Sequence, residues 1–494
     1  MEKRLNILMV TSEAYPYAKS GGLADVIPNL AQELASLGHS VKIVMPRYYG
    51  ITRDLLEKHP APLGIPMGST ELWAGVFHTH IPETSVEVYF IEHEELYGRD
   101  GIYGDSQVPV YPDNAKRFAV LCRASFQLCK LLQWFPDIIH GHDWTAGPAM
   151  AYLKTIESAG PFRHTRGVFT IHNIGYQGIF PPEDFPQLGL SPEDFTRRGF
   201  SYHNNMCYLQ AGLVNADLVT TVSPGYAQEV LEPELGFGMD GILRKKGTYF
   251  QGILNGMDYN IWNPGHDQLI PYPYDFRTLE NKGLNKNLIQ EEAGLPISAK
   301  TPLIGIVSRL VTQKGFKTMV EEDGRVLREI CNLPAQVLVL GTGEPWIEKA
   351  LVALADEIPN LRVYIRYNEK MSHLIQAASD FFLMPSLYEP CGLTQMYALR
   401  YGTVPIVSPT GGLKDTVVDV PQNPTTLSDQ DQEATGFYLP EPLTAQGMID
   451  GIQRAIGYYT SNPAMIREMQ IRGMKLRFDW KAAAREYLDF YTLA

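Results

Sequence analysis

The stretch MPSLYEPCGLTQMYALRYGTVPIVSPTGG, residues 384–412, passes from a strand through a turn and a helix into a second strand. The apolar residues 381–384 predict the first strand, and residues 404–407 predict the second. Apolar side chains at helical spacing lie between them, and Gly402 ends this helix. Such a succession is typical of the βαβ units that build a mainly parallel sheet.

The turn of this stretch, EPCG at 389–392, comes directly before the helix, which begins near Leu393. It brings a carboxylate and several backbone N–H groups to the positive end of a helix dipole, where hydroxyl and phosphate groups bind well. A capping glutamate on an ordinary connection is the more frequent explanation of one such turn. A second stretch near the N-terminus favours a binding site instead.

That second stretch, TSEAYPYAKSGGLADV at 11–26, follows the apolar run 6–10 and leads into an amphipathic helix. Adjacent glycines at Gly21 and Gly22 let the backbone approach a bulky anion, and Lys19 adds a positive charge beside the helix N-terminus. The pattern is neither GxGxxG nor GxxxxGK[ST], so it indicates neither a dinucleotide-binding fold nor a P-loop. Taken alone, a loop lysine is more often simply solvated.

Together the two stretches resemble the family of bacterial glycogen synthases and plant starch synthases. The resemblance covers essentially the whole chain, and it is specific because the shared motifs follow one another in the same order. They are KSGGLADV (19–26), HGHDW (140–144), FTIHN (169–173), TTVSPGYAQE (220–229), ILNGMDYNIWNP (253–264), VSRLVTQKG (307–315), GTGEP (341–345), EPCGLTQMYALRYG (389–402) and TGG (410–412). The resemblance implies a retaining glycosyltransferase of the α/β GT-B fold, with two Rossmann-like domains and a deep cleft between them.

The composition is that of an ordinary globular protein, with 494 residues, 45% hydrophobic and 20% charged residues. A net charge of −13 disfavours nucleic acid and anionic membranes as partners. The five cysteines are odd in number and lack CxxC spacing, which indicates a reducing compartment. No apolar stretch approaches a membrane span and no targeting segment is evident, so we expect a cytoplasmic protein. Its oligomeric state and allosteric control stay open.

Two series of strands alternating with helical segments predict two domains. We predict an N-terminal domain at 1–262 on the acceptor side, a C-terminal donor domain at 263–478, and a final helix at 479–494. The resemblance implies that this helix returns to the first domain. Residues 421–435 are polar and acidic and predict a surface loop. The clearest predicted strands are 41–45, 86–91, 137–140, 168–172 and 218–222 in the first half, and 303–307, 336–340, 362–365, 380–384 and 404–407 in the second.

Arg309 and Lys314 are two cations five residues apart in a loop, a spacing that suits a pyrophosphate. An unremarkable solvated pair is the alternative. The resemblance implies that both bind the phosphates of a sugar nucleotide and that Lys19 approaches the same donor from the other domain. Cations directed at a nucleoside diphosphate leaving group stabilise the charge that grows as the sugar bond breaks.

His140 and His142 share one face of a strand, which is a possible metal arrangement. No third set of ligands has matching spacing, so we expect no metal and no other cofactor. The resemblance implies instead that Asp143 lies near the acceptor and the transferred sugar. It also implies that His172 hydrogen-bonds the donor glucose; a structural imidazole is the alternative for His172.

The resemblance gives Glu389 contact with the donor and makes Glu389, His172, Asp143, Arg309 and Lys314 the catalytic set. Related retaining transferases have a second glutamate eight residues later, where this chain has Tyr397. No carboxylate pair is therefore evident, and we prefer a same-face displacement to a covalent glycosyl-enzyme. The predicted substrate-binding residues are Lys19, Gly21, Gly22, Asp25, Asn173, Asn255, Tyr367, Cys391, Gly392, Leu393 and Thr394.

Three positions depart from the family pattern: Ser20 replaces a threonine, Leu387-Tyr388 replaces Arg-Phe, and Gln210 replaces a lysine. These changes bear on affinity and subgroup, and they leave the three cations in place. We predict transfer of glucose from ADP-glucose to the non-reducing end of a glycogen- or starch-like α-1,4-glucan. UDP-glucose as the donor, a non-catalytic glucan-binding homologue, and a glucan phosphorylase with lysine-bound pyridoxal phosphate are the alternatives.

Overall fold

The structure is a computed structural model, and it describes residues 3–420 and 433–493. It divides the chain into two compact units, Met1–Gly256 with Trp480–Ala494, and Met257–Asp479. Most of the predicted acidic loop at 421–435 lies outside the described residues. The helices at 3–420 and 433–493 all lack the length and apolar character that a membrane crossing requires.

The first unit is built on a sheet with a parallel centre and an antiparallel edge. Its strands are β1 (Asn6–Val10), β2 (Ser40–Pro46), β3 (Glu57–Lys58), β4 (Leu63–Met67), β5 (Thr70–His80), β6 (Glu87–Glu92), β7 (Ile138–His142), β8 (Arg166–Ile171), β12 (Leu218–Thr221) and β13 (Phe250–Gly252), while β9 (Ile179–Phe180), β10 (Ser201–Tyr202) and β11 (Asn205–Cys207) form a separate small sheet. The described order is β13-β12-β8-β7-β1-β2-β6-β5-β3, with β4 paired to β5. The parallel strands are buried on both faces, which explains their nearly continuous apolar sequences.

Nine helices of the described chain accompany this sheet. They are α1 (Leu23–Ser36), α2 (Glu94–Tyr97), α3 (Asn114–Leu132), α4 (Gly147–Leu153), α5 (Asp194–Arg197), α6 (Tyr208–Asn215), α7 (Pro224–Glu229), α8 (Pro233–Gly236) and α9 (Asp240–Lys246). The longer ones, such as α1 and α3, bury their apolar faces. In α1 the residues Val26, Ile27, Leu30 and Leu34 are buried at helical spacing.

The second unit is a parallel sheet of six described strands in the order β16-β15-β14-β17-β18-β19. The strands are β14 (Leu303–Val307), β15 (Gln336–Gly341), β16 (Leu361–Ile365), β17 (Phe381–Met384), β18 (Val404–Val407) and β19 (Phe437–Tyr438). The helices are α10 (Lys282–Glu292), α11 (Phe316–Asn332), α12 (Pro345–Glu357), α13 (Glu369–Ala378), α14 (Thr394–Arg400), α15 (Gly411–Thr416), α16 (Ala445–Ser461) and α17 (Pro463–Lys475). Helix α11 is interrupted at 321–324, where three residues have positive φ.

The last helix, α18 (Trp480–Tyr491), belongs to the first unit. Trp480, Tyr487 and Tyr491 are buried in the same core cluster as the apolar face of α1. Burial of each large side chain contributes on the order of 2 kcal/mol to the free energy of unfolding. The first compact unit ends at Gly256, and Trp262 packs between the rings of His373 and Tyr397 in the second unit. The predicted domain boundaries at 262 and 478 stay predictions.

The strands predicted from the sequence are all present, with ends that differ by two residues at most. The antiparallel strands β4 and β5 were not among them. In β5 exposed and buried residues mix without a clear period of two, so its sequence does not identify it as a strand.

Candidate active site

The predicted site residues follow strands at which the strand order reverses. In the first unit the order reverses between β1, which leads to Lys19, and β7, which leads to Asp143. In the second unit it reverses between β14, which leads to Arg309, and β17, which leads to Glu389. Open α/β sheets bind ligands at the carboxyl ends of strands beside such a reversal. Each unit therefore has its candidate residues at the place where ligands bind in this architecture.

Lys314 and Glu389 form a salt bridge in the second unit, and their side chains are only 17% and 7% exposed. The hydroxyl of Ser386 donates a hydrogen bond of 2.9 Å to the same carboxylate oxygen of Glu389. The backbone N–H of Gly412 donates to the Glu389 carbonyl at 3.1 Å. The carboxylate is thus held by a cation and a hydroxyl, and its backbone is fixed to the start of α15.

Gln313 joins the Arg309 loop to the Glu389 loop. The side-chain amide of Gln313 donates to the backbone carbonyl of Tyr388 at 3.1 Å. The backbone carbonyl of Gln313 accepts from the N–H of Leu387 at 2.9 Å. An Arg309 guanidinium nitrogen lies 3.3 Å from the Gln313 amide oxygen. Both predicted phosphate-binding cations therefore extend from a loop whose backbone is anchored beside Glu389.

The EPCG turn packs closely against the loop after β18. Cys391 is buried, and a Cβ added at Gly412 would lie 2.1 Å from the Cys391 carbonyl oxygen, so glycine is required there. Gly392 has φ +69°, in the left-handed region that favours glycine. The Gln395 amide donates to the carbonyls of Cys391 and Gly392 at 3.0 Å each, directly after Thr394 begins α14.

Gly341 and Gly343 bring two backbones together. A Cβ at Gly341 would lie 1.9 Å from the Ser308 carbonyl oxygen, and one at Gly343 would lie 2.1 Å from that of Leu310. Close packing against the Arg309 loop therefore explains why both positions are glycine.

In the first unit, Glu13 organises the loop that carries Lys19. Its buried carboxylate accepts hydrogen bonds from the backbone N–H of Ser20 at 2.5 Å, the Ser20 hydroxyl at 2.8 Å, the Tyr103 hydroxyl at 2.8 Å and the N–H of Gly21 at 3.3 Å. Burial raises the pKa of Glu13, and these hydrogen bonds oppose the rise. The N–H groups of Ser20 and Gly21 thus bind an internal carboxylate.

Lys19 pairs with Asp25 through a contact of 2.8 Å between Nζ and Oδ1, and both side chains are partly exposed. Gly22 precedes the first turn of α1. A Cβ added at Gly21 would meet no atom within 4 Å, so the protein's own packing does not require glycine at this position. The space beside the Gly21 Cα is therefore open.

Asp143 has a strained backbone, with φ 56° and ψ −179°. This conformation is costly for any residue except glycine, and such strain is concentrated at functional sites. Its carboxylate accepts from the backbone N–H groups of His172 at 2.7 Å and Asn173 at 3.3 Å. Burial raises the pKa of Asp143 to about 7, and the charge of Glu13 adds to the rise.

His172 is bonded to the same strand ends. One ring nitrogen, Nε2, lies 3.1 Å from Nδ1 of His142. Burial lowers the pKa of His172 to about 3, so this imidazole is neutral at ordinary pH. The structure therefore brings together three predicted residues of the first unit, namely Asp143, His172 and Asn173.

The ring nitrogens of His140 are not available to a metal ion. Both ring nitrogens of His140 are engaged, Nε2 with the Thr170 hydroxyl at 2.6 Å and Nδ1 with the Tyr491 hydroxyl at 2.8 Å. Within the described residues no group of three or more histidine, cysteine or acidic side chains is arranged to hold a metal ion.

Two family models match the chain, the starch synthase catalytic domain over residues 6–245 and the glycosyl transferases group 1 over residues 301–453. The chain is 46% identical to a glycogen synthase of Treponema denticola over 489 residues, which cover 99% of this chain and 98% of that protein. It is 40% identical to glycogen synthase 1 of Geobacter sulfurreducens, with 99% and 96% covered. The chain belongs to the glycogen and starch synthase family.

Solved structures agree with this assignment. The catalytic domain of starch synthase IV from Arabidopsis thaliana, bound to ADP and acarbose, matches with a TM-score of 0.88 at 30% identity over 99% of both chains. Sucrose-phosphate synthase from Thermosynechococcus elongatus, at 18% identity and a TM-score of 0.60, shares the fold. The predicted α/β GT-B fold class is confirmed, and the protein is a glucosyltransferase with glycogen synthase activity.

Two departures from the family pattern, Gln210 and Ser20, have local explanations, and the change at Leu387 has none in the structure. The Gln210 amide donates to the carbonyls of Gly199 at 2.7 Å and Ser201 at 2.8 Å, so it fixes the chain before β11. Ser20 keeps the hydroxyl that a threonine would offer to Glu13. Leu387 is 46% exposed and puts an apolar side chain where a cation is usual.

The side chains of Asn255, Tyr367 and Asn173 differ in their surroundings. Asn255 is buried, and its Oδ1 has no hydrogen-bond partner within the described chain. Tyr367 follows β16 and is 76% exposed. The side-chain oxygen of Asn173 accepts from the N–H of Gly175 at 2.9 Å, which shapes its own turn. Their roles in substrate binding stay predictions.

Sequence reasoning missed Glu13, Tyr103, Gln313 and Ser386, which hold the predicted residues in place. Glu13 offered a signal, because it follows β1 at the carboxyl end where ligands bind. Tyr103 offered none, because its contact with Glu13 joins positions 90 residues apart.

Proposed function

We propose that this member of the family transfers glucose from ADP-glucose to the non-reducing end of an α-1,4-glucan and retains the anomeric configuration. The observation that carries the proposal is the buried pair of Lys314 and Glu389 beside the strand reversal of the second unit. The cation suits a pyrophosphate and the carboxylate suits sugar hydroxyls. The Arabidopsis relative with bound ADP supports an adenine nucleotide as the donor.

In the proposed reaction, the bond between glucose C1 and the diphosphate oxygen breaks while C1 bonds to O4 of the acceptor. The proton of the acceptor hydroxyl passes to the departing phosphate oxygen on the same face of the sugar, so the configuration is retained. Arg309 and Lys314 stabilise the charge that develops on the diphosphate, and Lys19 is the third cation assigned to the donor phosphates.

No second carboxylate is needed at position 397 for this route. Tyr397 packs face to face on Trp262, with ring centroids 3.9 Å apart and planes 7° apart. The ring is 6% exposed and cannot act as a carboxylate nucleophile. This arrangement favours same-face displacement over a covalent glycosyl-enzyme.

The remaining assignments follow from position and chemistry. Asp143 accepts a hydrogen bond from a sugar hydroxyl, while His172 and Asn173 contact the donor glucose. Tyr367 offers its exposed ring to the nucleotide base. Cytoplasmic location accords with this chemistry, since the donor is a nucleotide sugar. The further substrate-binding residues of the proposal are Gly21, Gly22, Asp25, Asn255, Cys391, Gly392, Leu393 and Thr394.

The decisive experiment measures transfer of labelled glucose to glycogen from ADP-glucose and from UDP-glucose in parallel, with a chelator present. We expect incorporation that prefers ADP-glucose and survives the chelator. A preference for UDP-glucose would overturn the proposed donor. Binding of glycogen without incorporation from either donor would show a glucan-binding protein and overturn the proposed activity.

The assignment of the phosphate-binding cations has its own test. We expect Lys314→Ala and Lys19→Ala to raise the KM for the donor, and Glu389→Gln to lower kcat by about a hundredfold. Lys317→Ala is the matched control, because Lys317 is half exposed and its described ion pair is with the half-exposed Glu321. Kinetics in all three site variants that match the control would remove these residues from the site.

A further inference from the structure

Three imidazoles form a row at the carboxyl ends of β7 and β8 in the first unit. The ring centroids of His140 and His142 are 4.0 Å apart, and those of His142 and His172 are 5.4 Å apart. His140 and His142 are completely buried, whereas His172 is partly exposed. We call these three residues the imidazole row. Of these three residues, only His172 belongs to the proposed catalytic set.

The position of the proton on His142 follows from its surroundings. Its Nε2 is buried and has no hydrogen-bond partner within residues 3–420 and 433–493. A buried N–H without an acceptor is rarer and more costly than a buried lone pair without a donor. The neutral ring therefore leaves Nε2 bare and carries its proton on Nδ1, which faces His172.

The proton on His142 fixes the proton on His172. The Nδ1–H of His142 donates to Nε2 of His172 at 3.1 Å, so Nε2 of His172 is an acceptor. Since the pKa values of both rings lie well below neutrality through burial, each ring carries one proton. The proton of His172 is then on Nδ1, a nitrogen that makes no hydrogen bond with the described part of the chain.

We propose that His142 is a positioning residue that holds His172 in the Nδ1–H tautomer, so that His172 donates a hydrogen bond to an oxygen of the donor sugar. The inference rests on the proposed function, which supplies the sugar. It assigns His142 a part in the reaction without contact between His142 and the substrate.

The backbone of His172 is fixed independently of the ring. Asp143 accepts from the backbone N–H of His172 at 2.7 Å, so the strand end cannot rotate freely. His140 supports the other face of His142, and both of its own nitrogens are bonded to Thr170 and Tyr491. His142 is therefore held between two fixed groups, and its Nδ1 stays directed at His172.

The direct test is nuclear magnetic resonance of protein labelled with ¹⁵N in the histidine rings. The signals are assigned by loss in His142→Asn and His172→Asn. We expect His172 as a neutral Nδ1–H ring at neutral pH, although free histidine prefers Nε2–H. Detection of His172 as Nε2–H in the unmodified protein would overturn the proposal. This measurement needs no substrate, so its outcome does not depend on the proposed function.

The kinetic test separates His142→Leu from His142→Asn. The leucine variant loses the donor at Nδ1, whereas the asparagine amide N–H₂ occupies nearly the same place. We expect His142→Leu to lower kcat about tenfold with little change in KM for glycogen, and His142→Asn to recover most of the rate. Equal rates in the two variants would contradict a role through the hydrogen bond.

His78→Leu is the control for loss of an imidazole elsewhere in the first unit. His78 lies on β5 and stacks on Tyr89, with centroids 5.6 Å apart. We expect its kcat to match the unmodified protein. If His142→Leu fails to fold, the tautomer of His172 in the folded His142→Asn variant decides, since loss of the Nδ1–H form there would also contradict the proposal.

Discussion

At the scale of single residues, Asp143 combines the features expected of a reacting group. Its backbone is strained, its carboxylate is fixed by two backbone N–H groups, and its pKa of about 7 places ionisation within the working range of pH. Strain and burial would both be costly at a merely structural position. We therefore expect the ionised carboxylate to be the active form that accepts a hydrogen bond from a sugar hydroxyl.

This expectation predicts the pH dependence of the reaction. Because Asp143 binds a proton below its pKa of about 7, kcat/KM should fall as the pH is lowered through that value. His172 stays neutral throughout, since its pKa is about 3. The measurement is initial-rate kinetics between about pH 5 and about pH 9, a range that brackets the ionisation.

Asp143→Asn provides the comparison. We expect it to lower the rate by about a hundredfold and to abolish the acidic limb of the profile. An unchanged acidic limb in this variant would show that another group titrates.

At the scale of elements, glycine allows two loops of the second unit to pack closely against each other. Gly341 ends β15 and lies against the carbonyl of Ser308, directly before Arg309. A methyl group added at Gly341 would lie 1.9 Å from that oxygen, so the two backbone segments would have to move apart. The position of the Arg309 guanidinium thus depends on a residue that never contacts the substrate.

We predict that Gly341→Ala lowers the free energy of unfolding by about 1–3 kcal/mol and raises the KM for the nucleotide sugar. Gly283→Ala is the control, because Gly283 lies in α10 with open space around the added Cβ. Its free energy of unfolding should rise by about 0.5–1 kcal/mol. The measurements are denaturant unfolding and donor kinetics. A Gly341→Ala variant with normal KM would separate the glycine from the phosphate site.

The last helix, α18, reaches the imidazole row through one hydroxyl. Tyr491 is buried, and its hydroxyl forms a hydrogen bond of 2.8 Å with Nδ1 of His140. Tyr152 makes an equivalent buried hydrogen bond of 2.8 Å to the carbonyl of Leu188, away from the row. The two hydrogen bonds therefore differ mainly in their partners, since only the bond of Tyr491 reaches the imidazole row.

We predict that Tyr491→Phe and Tyr152→Phe each lower the free energy of unfolding by about 1–2 kcal/mol. Only Tyr491→Phe should also lower kcat, because it frees His140 beneath His142. Thermal unfolding and initial rates of both variants give the comparison. Equal kcat values in the two variants would show that α18 contributes stability alone.

At the scale of the whole molecule, a buried lysine couples folding to pH. Lys282 begins α10 and donates to the carbonyls of Ala377 at 2.9 Å and Tyr401 at 3.1 Å, and to the Thr403 hydroxyl at 2.6 Å. Burial lowers its pKa from 10.5 to about 7, an effect that nearby Lys286 increases and Asp380 opposes. The amine ties the ends of α13 and α14 to α10.

Stability should therefore rise with pH across the interval that separates these pKa values. Between about pH 7 and about pH 10.5 the unfolded chain binds a proton at Lys282 that the folded protein does not, so increasing pH favours folding. Below about pH 7 both states are charged and the cost of burial is complete. We expect Lys282→Met to flatten the dependence of Tm on pH in this interval, whereas Lys300→Met, at an exposed lysine, should not.

The sequence alone determined the two series of strands, the GT-B fold class and the family. The strands are encoded locally, since apolar periodicity sets each strand and helix. The fold class and the family came from the resemblance of the ordered motifs, which is independent of how the elements pack. Even the cation pair of the Arg309 loop was evident, because both residues lie in one short segment. The catalytic assignments drawn from the resemblance stay predictions.

The tertiary structure decided which groups meet. Lys314 pairs with Glu389 across 75 residues of sequence, and His142 bonds His172 across 30. Glu13 and Gly341 acquired roles only when the loops around them were in place. The physical reason is that such contacts depend on which strands become neighbours at the reversal of each sheet, and that order is set by long-range packing instead of local pattern.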